Sequence, residues 1–281
     1  MKLSQESARI FVPDQTPLAV ALPRTTHLGI GAHADDLEIM AAHGILECLD
    51  REDRWFSGVI VGDGAGGPRA AAHLALSDAQ MRELRAGEQR AAAELGQYSA
   101  LALCGYASAR IRAAEPALQN DLRALLLASS PEVVYTHNLA DAHDTHVAVA
   151  LRLLEACRSL PEDRRPKRVL GCEVWRDLDW LADADKIALR VDGHEALKQR
   201  LIGAHASQLA AGKRYDLAAL GRQRAHATFS DSRAADPADA LSFAMDLTPL
   251  LSENAASPET LVSELIARFQ RDVLARLARV K

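Results

Sequence analysis

Residues 29–38 read G-I-G-A-H-A-D-D-L-E. An apolar run, His27–Ala32, enters this stretch and a helical pattern leaves it, so His33, Asp35 and Asp36 sit on a strand-to-helix turn. A second stretch, T-H-N-L-A-D-A-H-D-T-H at residues 136–146, repeats the setting. It places His137, His143 and His146, with Asp141 and Asp144, after another apolar run. Imidazole and carboxylate are the side chains that hold divalent metals. Strand ends of an open α/β sheet converge on one edge, so the two stretches are expected to build one site.

Working outward, short apolar runs alternate with helical patterns up to about residue 180. The expected strands are His27–Ala32, Ser57–Gly62, Ala100–Cys104, Glu132–Thr136 and Arg168–Val174. Asp78–Leu95 reads as a helix capped by Ser77, with Gln80 at the capping-box position. Thr145–Leu160 reads as another, closed by Pro161. This rhythm predicts an α/β fold: a Rossmann-like parallel sheet with helices on both faces. Beyond residue 180 the rhythm fades. A helix is expected from Gly193 to Ala211, then a polar, basic loop at residues 212–229. A last helix starts at Ser257 and Pro258. Its stripe is Leu261, Leu265, Phe269 and Val273, and Arg276, Arg279 and Lys281 suit its C-terminal dipole. With no repeat or low-complexity linker, residues 1–281 read as a single domain: a core of about 25–180 and a C-terminal extension of about 181–281 packed onto the sheet.

Composition narrows the function classes. Apolar residues at 48% and charged residues at 25% are the mix of a soluble globular chain. A net charge of −5 with no Lys/Arg-rich run argues against nucleic acid as a partner. No stretch has the ~20 apolar residues of a membrane span, and residues 1–20 are too polar for a secretory signal. Cys48, Cys104, Cys157 and Cys172 are isolated, as in reduced proteins, so a cytoplasmic location is expected.

Three functional readings fit the first stretch. Gly29, Gly31 and Ala34 match the dinucleotide fingerprint G-x-G-x-x-A, but Asp35 and Asp36 would put negative charge where pyrophosphate binds. His33-x-Asp35 with a distant histidine matches a non-haem iron triad, which usually sits on an all-β fold. Third, His33, Asp36 and His146 can surround an open metal position, leaving Asp35 as a base for water. Against all three stands plain helix capping by acids. The second histidine cluster weighs against that.

At these residues the chain resembles the PIG-L/LmbE-like family of zinc-dependent N-acetylglucosaminyl deacetylases. The family's H-P-D-D-x-E motif stands here as H-A-D-D-L-E, His33 to Glu38, and its D-x-H-x-D-H motif as D-A-H-D-T-H, Asp141 to His146. Arg85 and Glu88 add an R-x-x-E pair in a helix running into A-A-A-E-L-G. The resemblance covers about residues 25–180. It implies a Rossmann-like fold, one Zn2+, and hydrolysis of an N-acyl group, commonly the N-acetyl of a glucosamine-type sugar. It also implies His33, Asp36 and His146 as zinc ligands, Asp35 as general base, and His143 as the group that stabilises the tetrahedral intermediate. Two positions depart from the motifs. Ala34 replaces proline, and Thr145 replaces an acid whose role Asp144 or Asp141 would have to take.

Substrate-binding candidates are Asp63 and Arg69, around the glycine-rich G-D-G-A-G-G-P-R after the second strand, with Arg85 and Asp144. Glu173, Trp175 and Arg176 join them from C-E-V-W-R-D-L-D-W. Lys213, Arg214 and Tyr215 are expected either to reach a ligand's anionic group or to form an ordinary solvated basic loop. The expected partner is a small N-acylated amine or sugar, not nucleic acid or membrane. Relatives of the family are often oligomers, so self-association through the last helix accords with the resemblance. Competing classes are a sugar- or nucleotide-binding protein of weak or no activity, and a metal-dependent hydrolase of another bond such as a phosphoester.

Overall fold

The computed structural model describes every residue except Pro68, Ala211, 231–233 and Lys281. Eight strands form one sheet: β1 (Arg9–Phe11), β2 (His27–Gly31), β3 (Phe56–Gly62), β4 (Leu101–Tyr106), β5 (Val133–His137), β6 (Arg168–Cys172), β7 (Ile187–Arg190) and β8 (Leu241–Asp246). The helices are α1 (Leu18–Ala21), α2 (Asp36–Met40), α3 (Ala42–Cys48), α4 (Asp78–Leu95), α5 (Ser108–Arg112) and α6 (Pro116–Ser129). They continue with α7 (Asp144–Arg158), α8 (Glu195–Gly203), α9 (Ala206–Leu209), α10 (Tyr215–Thr228) and α11 (Pro258–Arg279).

The sheet order is β1-β4-β3-β2-β5-β6-β8-β7. Its centre, β4-β3-β2-β5-β6, is parallel. The chain winds outward from β2 through β3 to β4, then returns to place β5 on the other side of β2. The crevice at the C-terminal ends of β2 and β5 is therefore the switch point where ligands of such sheets bind. Alternation along the strands sends side chains to two cores. Leu28, Ile30, Val59, Val61, Ala102, Cys104, Val134 and Val169 share one with α6 and α7. Phe56, Ile60, Leu101, Tyr135, Leu170 and Cys172 share the other with α2, α3 and α8. At about 25 cal/mol per Å2, burial on both faces is the main force holding the layers together. Helices on both faces and the parallel centre match the sequence reading.

Three features differ from it. The C-terminal region enters the sheet as well as packing onto it: β8 lies antiparallel between β6 and β7. The loop expected at residues 212–229 is largely helix α10, whose side toward the domain is carried by small or polar residues, Ala219, Gln223, His226 and Ala227, that give no strong stripe. The helix expected from Gly193 breaks at His205 into α8 and α9, and its expected end, Ala211, lies outside the described residues. Ser77 and Gln80 do form the capping box of α4. Ser257 caps α11, where only Leu265 of the expected stripe is buried, and Lys281 lies outside the described residues. No helix among the described residues is long and apolar enough to cross a membrane.

Candidate metal centre and active site

β2 delivers the site through an unusual turn. Asp35 caps α2 with φ of 84°, a left-handed conformation that costs a non-glycine residue about 1–3 kcal/mol and is typical of functional turns. The Gln208 side chain donates to Ala34 O, and Asp35 N–H reaches Gln89 Oε1 at 3.4 Å. Gly29 serves packing here rather than phosphate. A Cβ on it would lie 2.7 Å from Phe56 and 2.9 Å from Leu37.

The first residue of α2, Asp36, is 2% exposed. Its Oδ2 accepts from Ala32 N–H at 3.0 Å and His33 N–H at 2.6 Å. Its Oδ1 lies 3.5 Å from His146 Nε2. His33 Nδ1 lies 3.0 Å from His146 Nε2 and 3.5 Å from Asp36 Oδ2. Two imidazole nitrogens and a carboxylate thus converge, the arrangement of three ligands sharing one divalent ion. His146 Nδ1 lies 3.5 Å from Asp141 Oδ1. A carboxylate behind a ligating histidine fixes its tautomer and raises its basicity.

Two other histidines meet this group: His33, His143 and His146 approach one another, as do Asp36, His137 and His146. Hydrogen bonding separates their roles. His137 Nε2 accepts from Ala32 N–H at 3.0 Å, so that lone pair is occupied. The ring is fully buried and stacks on His146 at 3.8 Å. Sequence reasoning assigned His137 no role; here it is a packed wall of the site. His143 caps α7, its Nδ1 accepting from Thr145 N–H at 3.2 Å. That bond leaves Nε2 as the protonated nitrogen of the neutral ring.

Charge follows burial. Burial is the main cause holding the Asp35 carboxyl well above the usual carboxylate range, with Asp36 and Glu38 adding to it and Arg85 opposing. Burial pushes Asp36 the same way, but His146 and His137 outweigh it, and Asp36 stays well below that range. Burial also lowers His146 to about 4, against Asp36, and lowers His143, helped by His33. Neutral imidazoles beside an ionised Asp36 are the forms that ligate metal. The lowered pKa of His143 favours the neutral ring, with Nε2–H as its donor.

Around Thr145 the two nearby acids are placed differently. Asp144 is exposed on the first turn of α7. The buried acid is Asp141, which faces His146 rather than His143, and accepts from His143 N–H at 2.9 Å and from Trp175 N–H at 3.1 Å. Thr145 is fully buried, and its Oγ1 accepts from Arg112 at 3.1 Å.

A cavity of about 530 Å3 opens onto this centre. Among its lining residues are His33, Asp35, Asp36, His143, Asp63, Arg85 and Trp175. Trp175 forms a wall with Tyr215, the rings 6.1 Å apart and edge-on. Arg69, Asp144, Glu173 and Arg176 do not line it. Arg69 pairs with Asp78 and ties the glycine-rich loop to α4. Arg176 is exposed. Glu173 is a buried bracket: its oxygens accept from Leu178 N–H at 2.6 Å, Phe243 N–H at 2.9 Å and His226 Nε2 at 2.9 Å. Glu173→Ala is expected to lower unfolding stability by about 3 kcal/mol, because it orphans buried donors. Urea denaturation checks this; an unchanged midpoint would contradict the bracket.

Beyond Lys213, Arg214 and Tyr215, sequence reasoning missed Gln208, Ala219 and Arg222 of the wall supplied from residues 205–222. Gln208, Lys213, Tyr215, Ala219 and Arg222 line the cavity. The segment is stapled in place by His205 Nε2 to Glu38 at 3.0 Å and by Ser207, whose N–H and Oγ each meet Glu88 at 2.6 Å. Glu88 of the R-x-x-E pair therefore bonds Ser207, while Arg85 donates to Gly64 O at 2.6 Å.

Comparison with known proteins agrees with this architecture. The model of the PIG-L family, described as GlcNAc-PI de-N-acetylase, matches residues 28–157. No curated protein matches the chain. Among solved structures, the chain is similar to GalB, the 4-carboxy-2-hydroxymuconate hydratase from Pseudomonas putida, with a TM-score of 0.60 and 19% identity over 83% of this chain and 100% of that one. The conserved protein TT1542 from Thermus thermophilus gives 0.63 and 16%, over 83% and 99%. The N,N'-diacetylchitobiose deacetylase from Pyrococcus horikoshii gives 0.59 and 17%, over 78% and 83%. At these identities the likeness is one of fold. A hydratase and a deacetylase share it, so the fold by itself does not select the reaction. The match to the PIG-L family model spans residues 28–157, the stretch that supplies His33, Asp35, Asp36, His143 and His146, and over that stretch the chain is similar to the family.

Proposed function

We propose that this chain is a metal-dependent hydrolase that removes an N-acyl group, N-acetyl in the first instance, from an amino sugar or related conjugate, working as one unit in which the C-terminal region completes the substrate wall. The observation that carries the reading is the convergence of His33 Nδ1, His146 Nε2 and Asp36 within 3.0–3.5 Å, with the Asp35 carboxyl at the same cavity edge. The deacetylases named for the family and among the similar folds support it.

His33, Asp36 and His146 would hold the ion, and the donor set of two nitrogens and one carboxylate suits zinc. A divalent ion there polarises the acyl carbonyl and lowers the pKa of water toward ~7. Asp35 takes the proton of the attacking water, and its pKa, raised by burial above that of an ordinary carboxyl, makes it a stronger base. The water oxygen bonds to the acyl carbon as the carbonyl becomes an oxyanion. His143 Nε2–H donates to that oxyanion. The C–N bond then breaks, and the proton held by Asp35 passes to the departing nitrogen, giving a free amine and a carboxylic acid. Trp175 and Tyr215 offer ring faces and a hydroxyl to a sugar.

The test is amine release from N-acetylglucosamine-type compounds before and after chelation. Chelator treatment is expected to remove at least about 90% of turnover and zinc to restore it. Undiminished turnover in fully metal-free protein would overturn the reading. Ligand binding with no turnover at any metal loading would favour a binding protein instead.

A further inference from the structure

The cavity is basic in a chain that is acidic overall. Arg85, Arg112, Lys213, Arg214 and Arg222 line it, while the chain carries a net charge of −5. Its three carboxylates are committed elsewhere. Asp36 faces the histidines, Asp35 is buried at the turn, and Asp63 pairs with Arg82 at 2.9 Å. Arg214 is neutralised by Asp216 at 2.8 Å. Arg85 is held against the glycine-rich loop by Gly64 O at 2.6 Å. The other three, Arg112, Lys213 and Arg222, have no carboxylate partner among the described residues. Arg222 donates to Val174 O at 2.7 Å, and Lys213 Nζ lies 5.3 Å over the Trp175 ring. Arg112 is exposed, and its recorded bond is to the neutral Thr145 hydroxyl.

We propose that this cavity takes a substrate bearing an anionic group, a carboxylate or a phosphate, and that Arg112, beside His143, is the residue that recognises it, with Lys213 and Arg222 adding to the field. The inference rests on the hydrolase reading for the reaction and adds the substrate class. Thr145 holds the key position. Its N–H is bound to His143 Nδ1 and its Oγ1 orients Arg112, so one residue ties the guanidinium to the reacting edge without cancelling its charge. A guanidinium has five donors in a planar fork that matches the oxygens of carboxylate or phosphate. Cations gathered in a concave, partly desolvated site focus their field and favour an anion over a neutral ligand of the same shape. Sugar hydroxyls alone would not call for three such cations.

The experiment compares N-acetylglucosamine with its 6-phosphate, its 1-phosphate and N-acetylmuramic acid, which places a carboxylate on the 3-O-lactyl arm. Binding is measured on Asp35→Asn protein, and kcat/KM on the wild type. At least one anionic compound is expected to bind about tenfold tighter than the neutral parent, and the compound that does so identifies the source of the charge. That advantage should shrink when salt rises from about 50 to about 500 mM. It should largely vanish in Arg112→Gln and partly return in Arg112→Lys. The proposal is overturned if no anionic compound outbinds the parent, or if Arg112→Gln keeps the whole advantage. The two readings fail separately. Tight anion binding with no amine released from any compound leaves this inference standing and removes the hydrolase reading. Amine release at equal kcat/KM from neutral and anionic compounds does the reverse.

Discussion

Asp35→Asn is expected to lower turnover by at least about 10²-fold while the metal stays bound, because general-base help is typically of that size. Asp35 holds the N-cap position of α2 in a left-handed turn and lines the cavity, but the converging donors belong to His33, Asp36 and His146. Asparagine keeps the shape and loses the proton acceptor. The wild-type pH profile should carry the sign of the same group. A base works only when ionised, and burial raises the Asp35 pKa above that of an ordinary carboxyl. Turnover should therefore fall as pH drops through that raised value, well before ordinary carboxylates protonate. Loss of metal together with activity in Asp35→Asn would show that the ligand and base roles are wrongly divided.

His146→Ala is expected to reduce bound zinc from about one per chain to a trace. This ring contacts both other donors, and Asp141 stands behind it. Asp141→Asn should weaken metal affinity by about 10- to 100-fold without abolishing it, the usual effect of removing such a supporting carboxylate. His43→Ala is the control, since His43 Nδ1 contacts Arg190 O on the body of the fold. Elemental analysis of the three purified variants reads the result. Full zinc in His146→Ala would remove the proposed centre.

The central fold was legible because each parallel strand is an apolar run bounded by turns, and the capping box of α4 lies within three residues of sequence. The turn after β2 and the cluster after β5 were legible for the same reason: strand ends concentrate chemistry in short stretches. What escaped was non-local. Nothing near Arg112 signals that it reaches Thr145, and nothing near Glu38 signals His205, which is 167 residues away. Glu173 looked like a sugar contact because acids beside tryptophans often are. Only the tertiary structure shows it binding the backbone of Phe243 and Leu178. Helix α10 was hidden by its basic, alanine-rich composition, which weakens the apolar stripe.

The central claim is that water, activated beside Asp35, attacks an acyl carbonyl at the His33–Asp36–His146 centre. Its most direct test is turnover of an N-acetylated amino sugar in 18O-labelled water, with amine and acid both quantified. The account predicts one free amine per acetate and one labelled oxygen in the acetate carboxylate. Label retained in an alcohol of an intact N-acyl product, as addition of water to a double bond would give, or acid release without amine, would contradict it.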